Sequence, residues 1–159
     1  MDPRLRGRGS NVSERDRTNS MIVLGLTGSI GMGKSTASAM FQRMGIPVYD
    51  SDSSVHVVLG KGGAAVGPIG AAFPGVVIDG AVDRQALGKR VFGDDAALKT
   101  LEAIVHPLVR QVQDNFLKRC AARRCPLVVL DIPLLLEVRL DIRCDAAIVV
   151  SAPAFIQAA

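Results

Sequence analysis

A three-layer α/β fold, with a parallel sheet between helices and a helical region inserted into it, is what the sequence predicts. Three observations carry that prediction. The glycine-rich turn Gly28-Ser29-Ile30-Gly31-Met32-Gly33-Lys34-Ser35 joins an apolar, β-prone run to a helix-forming stretch. Two later runs, Leu127-Val128-Val129-Leu130 and Ala146-Ala147-Ile148-Val149-Val150, are apolar throughout, as strands buried on both faces are. Between these strands and the first helix, residues 60–124 read mainly as helix and loop. A chain of 159 residues, 48% of them hydrophobic, suits one domain with a filled core.

Residues 1–20 are polar, rich in Arg, Ser and Asn, and too poor in large apolar side chains to offset the entropy of ordering, so they are expected to be disordered. Their arginines would suit a transit peptide, but Asp2, Glu14 and Asp16 and the lack of an amphipathic stripe argue against one. The first strand is expected over 22–27 and the first helix over 36–44, closed by Gly45. A second strand over 46–49 ends in Asp50-Ser51-Asp52, and a helix is expected to begin near Ser53. The Gly/Ala-rich stretch 60–80, with Pro68 and Pro74, reads as loops and one weak helix over 64–73. Asp83 reads as the N-cap of a helix reaching Phe92, and Asp94 as that of a helix reaching Val105. His106-Pro107 is expected to interrupt it before a further helix over 108–119. Third and fourth strands follow over 127–131 and 146–150.

The turn at 28–35 fits the pattern GxxxxGK followed by Ser or Thr. Its three glycines let backbone N–H groups approach an anion, Lys34 can reach the outer phosphates of a nucleotide, and the Ser35 hydroxyl suits Mg²⁺. Carboxylates at the C-terminal ends of parallel strands face the same crevice. Asp131, ending the third strand, is therefore a candidate partner of Ser35 in holding a metal, and Asp50 and Asp52 end the second. One of the latter two could serve only to cap the following helix. An acid this close to a phosphate loop favours a small-molecule kinase, in which it takes the proton of an acceptor hydroxyl. The Asn-Lys-x-Asp base-reading motif of GTPases is absent from the sequence.

Composition narrows the classes further. The net charge is +4, of which +2 sits in the first twenty residues, and aromatics at 4% offer no stacking platform, so no nucleic-acid partner is expected. No apolar run reaches the roughly 18 residues of a membrane span, and no secretory apolar segment opens the chain, so no membrane partner is expected and the expected compartment is the cytoplasm. Cys120, Cys125 and Cys144 have neither disulfide-framework nor zinc spacing and read as packing residues.

Taken together, Thr27 to Thr36, Asp50-Ser51-Asp52, Leu101-Glu102 with Ile104 and His106-Pro107, Asp131-Ile132-Pro133-Leu134-Leu135-Leu136-Glu137 and Cys144-Asp145 closely resemble the dephospho-CoA kinase family. The resemblance runs from residue 21 to 157. It implies a P-loop kinase fold and the last step of coenzyme A synthesis, in which ATP, with Mg²⁺, phosphorylates the ribose 3′-hydroxyl of dephospho-CoA. By position it implies that Gly28, Ser29, Ile30, Gly31, Met32, Gly33, Lys34, Ser35 and Thr36 bind ATP, that Asp52 is the base, and that Asp131 lies near the metal. It also implies that Arg84 and His106 belong to the region that receives the CoA portion. His56 is expected to pack or cap. Family members continue past the fourth strand into an arginine-bearing lid helix and a further strand, whereas this sequence stops at Ala159 just after Phe155-Ile156-Gln157. The expectation for the 159-residue chain is therefore ATP binding with weak or no turnover. Other readings of the same residues are another small-molecule P-loop kinase and a non-catalytic nucleotide-binding remnant.

Overall fold

The computed structural model describes residues 21–28, 33–132 and 144–151. The expected disorder of 1–20, the loop residues Ser29, Ile30, Gly31 and Met32, the motif after Ile132 and the start of a lid fall outside them. In chain order the elements are β1 (Ile22–Gly28), α1 (Lys34–Arg43), β2 (Val48–Asp50), α2 (Ser51–Leu59), α3 (Val66–Ala72), β3 (Val77–Ile78), β4 (Ala81–Val82), α4 (Arg84–Val91), α5 (Asp95–Ala122), β5 (Leu127–Asp131) and β6 (Ala146–Val150). The main sheet is parallel, in the order β2-β5-β1-β6. Among the described residues no helix is long and apolar enough to cross a membrane.

Alternation along β5 decides what each face of the sheet carries. Val128 and Leu130 join Val23 and Tyr49 in a buried cluster against Phe116, Leu117 and Cys120 of α5, with Cys125 and Cys144 packed on it. Leu127, Val129 and Asp131 must then point to the opposite face. Register aligns Asp131 with Leu26 on one side and with Asp50 on the other, so two acids stand side by side at the strand tips. β6 lies at the edge of this sheet, with Val149 60% exposed. At its foot Asp145 clamps β1: its carboxylate accepts from the Val23 N–H at 2.8 Å, and its own N–H donates to the Val23 carbonyl at 2.8 Å.

A second buried cluster, built on Val58, Leu59, Ala65, Ile69, Phe73, Val76, Val82 and Leu87, forms the inserted region. Its partner is again α5, through Leu101, Ile104, Val105, Leu108, Val109 and Val112. Val112 touches both clusters, and the Tyr49 hydroxyl of β2 donates to the Val109 carbonyl at 3.3 Å. Here the expected break at His106-Pro107 is corrected: α5 runs unbroken for 28 residues with Pro107 inside it. Proline removes one main-chain donor and crowds the preceding turn, at a cost of about 3 kcal/mol. The apolar stripe packed on both sides of Pro107 outweighs that local cost.

The insertion also holds a hairpin that was expected to be loop. β3 and β4 pair antiparallel around Asp79 (φ 50°) and Gly80 (φ 78°), the two consecutive positive-φ residues that a tight hairpin turn requires. The Asp83 and Asp94 caps are as expected, each carboxylate accepting two first-turn N–H groups.

Gln113, 3% exposed on α5, has an amide nitrogen with no hydrogen-bond partner among the described residues. An unmet buried donor costs about 1–3 kcal/mol. Gln113→Met keeps the length of the side chain and removes the donor, so it is expected to stabilise the fold by about 1 kcal/mol, read as a higher urea midpoint at unchanged slope.

Candidate active site

Helices α2, α4 and α5 each begin under an aspartate cap, whereas α1 does not. Its N-cap is Gly33 at φ 83°, there is no side-chain cap, and no acid stands in its first turn. Among the described residues the first-turn N–H groups of Lys34, Ser35 and Thr36 therefore have no capping side chain, which leaves the positive end of the helix dipole available to an anion. Gly28 is needed for a reason separate from phosphate: a Cβ there would lie 2.6 Å from the Val150 carbonyl oxygen of β6.

Lys34, opening α1, extends to the tip of β5 and forms an ion pair with the Asp131 carboxylate. The two side chains are 18% and 8% exposed, so the pair is largely withdrawn from solvent. The neighbouring strand tip contributes Asp50, whose carboxylate accepts from the N–H groups of Asp52 (2.9 Å) and Ser53 (3.1 Å) and from the Ser53 hydroxyl (2.8 Å). Burial pushes the Asp50 carboxyl up, but these hydrogen bonds, with the charge of Lys34, hold it below its ordinary value of 3.8. Of the two acids expected to end β2, only Asp50 does so, and it is the helix cap. Asp52 sits in the exposed first turn of α2, one step beyond it.

A depressed carboxyl stabilises the fold fully above its unfolded value, and that contribution is lost as pH falls through the lower folded value. Asp50→Ala is expected to cost about 1 kcal/mol at neutral pH, the usual worth of an N-cap. Its difference from the parent should shrink below about pH 4, which denaturant titrations across that range would measure.

Arg84 and His106 fare differently. Arg84, in the first turn of α4, places Nη1 2.6 Å from Nε2 of His56 on α2, one helical turn after Asp52. The His56 Nδ1 lies 2.9 Å from the Asp52 carbonyl oxygen. Asp52, His56 and Arg84 therefore form one group, which joins the helix after the strand tip to the inserted region. Sequence reading did not foresee the part of His56, although its i+4 spacing from Asp52 was visible. His106 is exposed on α5 and lines a shallow groove with Glu102, Arg110 and Asp114. The structure does not bring it to the Lys34 cluster through any described hydrogen bond or ion pair.

Among the described residues no three His, Cys, Asp or Glu side chains gather to hold a metal. Ser35, next to Lys34 in the first turn of α1, and Asp131, the ion-pair partner of Lys34, offer a hydroxyl and a carboxylate, the oxygen donors that suit Mg²⁺, which keeps several waters and takes few protein ligands.

A family model described as dephospho-CoA kinase matches residues 22–158. The chain belongs to the dephospho-CoA kinase family. Dephospho-CoA kinase of Paramagnetospirillum magneticum is 65% identical over 139 residues, covering 87% of this chain and 66% of that protein. The Rhodospirillum rubrum dephospho-CoA kinase is 54% identical over 137 residues, covering 86% and 65%. The chain thus spans about two thirds of the length of these relatives. Among solved structures, TT1252 from Thermus thermophilus superposes with a TM-score of 0.74 at 39% identity, covering 84% of this chain and 66% of that one. A dephospho-CoA kinase from Campylobacter jejuni superposes with a TM-score of 0.61 at 18% identity, covering 85% and 92%, a likeness of fold.

Proposed function

We propose that this chain carries the transfer site of a cytoplasmic dephospho-CoA kinase, which moves the γ-phosphoryl group of ATP to the ribose 3′-hydroxyl of dephospho-CoA. The observation that supports the reading best is the convergence of Lys34, Asp131 and Asp50 at adjacent parallel strand tips, beside the uncapped start of α1. Gly28 to Thr36 would cradle the phosphates, with Lys34 leaving Asp131 to neutralise charge on the outer ones. Ser35 and Asp131 would hold Mg²⁺, which when bound supplies charge neutralisation across the phosphates. The bond from the γ-phosphorus to the ADP oxygen breaks, the bond to the ribose oxygen forms, and Asp52 receives the hydroxyl proton. Arg84, with His106 further along the inserted region, would receive the CoA portion.

The test is to incubate the chain with MgATP and dephospho-CoA and measure CoA by mass spectrometry, with Lys34→Ala as the blank. Product that depends on Lys34 supports the reading. Slow, Lys34-dependent formation of CoA is the expected result; phosphorylation of a nucleoside or shikimate-like acceptor in preference to dephospho-CoA overturns the reading, and ATP binding with no product at all favours the non-catalytic nucleotide-binding remnant.

A further inference from the structure

The contact between His56 and Arg84 fixes more than a distance. The Asp52 carbonyl can only accept, so the Nδ1 that faces it must carry the proton. A guanidinium can only donate, so the Nε2 that faces Arg84 must be bare. One neutral tautomer, protonated at Nδ1, satisfies both neighbours at once. The imidazole therefore links the main chain at Asp52 to the head of a long, exposed side chain on another helix.

We propose that His56 is a positioning residue: anchored to the α2 backbone, it holds the Arg84 guanidinium in place, so that the remaining N–H donors of Arg84 face the anionic diphosphate of the acceptor substrate. The inference rests on the reading of Arg84 as a substrate-binding residue. An arginine has five N–H donors in a rigid fork, and using one of them to anchor the fork leaves the others pre-aligned. Without the anchor, binding has to immobilise a free side chain, which weakens affinity roughly 3- to 10-fold.

Two measurements on the whole chain test this. The ¹⁵N shifts of His56 near neutral pH should show the tautomer protonated at Nδ1, and protonation at Nε2 overturns the proposal. Calorimetric titration with dephospho-CoA should show roughly 3- to 10-fold weaker binding by His56→Ala, with ATP affinity unchanged. His56→Gln, which keeps an acceptor, should recover most of the loss, and His56→Ala should add nothing in an Arg84→Ala background. Equal dephospho-CoA affinity of His56→Ala and the parent overturns the proposal, as does an undiminished loss in the Arg84→Ala background. A parent chain that fails to bind dephospho-CoA overturns the proposed function and this inference with it, whereas normal binding by both parent and His56→Ala overturns the inference alone.

Discussion

Lys34→Ala is expected to lower single-turnover CoA formation by about 10²- to 10³-fold or more, because few groups stabilise phosphoryl transfer as strongly as a preorganised cation aimed at the moving phosphate. The same substitution has a second effect that the ion pair dictates. It leaves the Asp131 carboxylate, 8% exposed, without its partner. A stranded, nearly buried acceptor costs about 1–3 kcal/mol, so the variant should unfold at lower urea. Lys34→Ala/Asp131→Ala removes the stranded charge and should regain much of the stability while staying inactive. If the double variant is no more stable than Lys34→Ala, the pair does not bear on stability; if Lys34→Ala retains the parental rate, the assignment of the phosphate-binding lysine is wrong.

Asp52→Asn should lower single-turnover CoA formation by about 10²- to 10⁴-fold, the usual worth of a general base, with ATP affinity and urea midpoint unchanged. The structure supplies a matched control two residues earlier, at the tip of β2. Asp50 accepts three hydrogen bonds that start α2, so Asp50→Asn should lose stability and comparatively little turnover. Its amide oxygen still accepts from the first-turn N–H groups, which keeps the helix start intact enough for the comparison. An inactive Asp50→Asn beside an active Asp52→Asn would exchange the two roles. Single-turnover measurement keeps the comparison independent of product release.

Much of this arrangement was legible because its signals are local. The strand and helix on either side of the glycine-rich stretch, the acid ending an apolar run at Asp131, and the Asp83 and Asp94 caps each depend on a few consecutive residues, and the structure repeats them. Pro107 was misread because a proline penalty is local, while the burial that overrides it comes from α2, α3, α4 and the sheet. The hairpin at Asp79-Gly80 did carry a local signal, an Asp-Gly pair between short apolar runs, and the alanine- and glycine-rich surroundings hid it. His56 and Arg84 stand 28 positions apart, and no spacing rule joins side chains that meet only once the chain has folded. Asp145 could be placed in a motif, but its clamp on Val23 depends on strand order, which the chain reveals only once it has folded.

The long helix α5 serves as the common wall of both apolar interiors, with Val112 in contact with each and Tyr49 bonded to its backbone. Neither half of the molecule can keep its interior dry once that wall is lost, so melting followed by a probe in one half should coincide with melting followed in the other. A swing of the whole inserted region would have to tear that wall from the sheet.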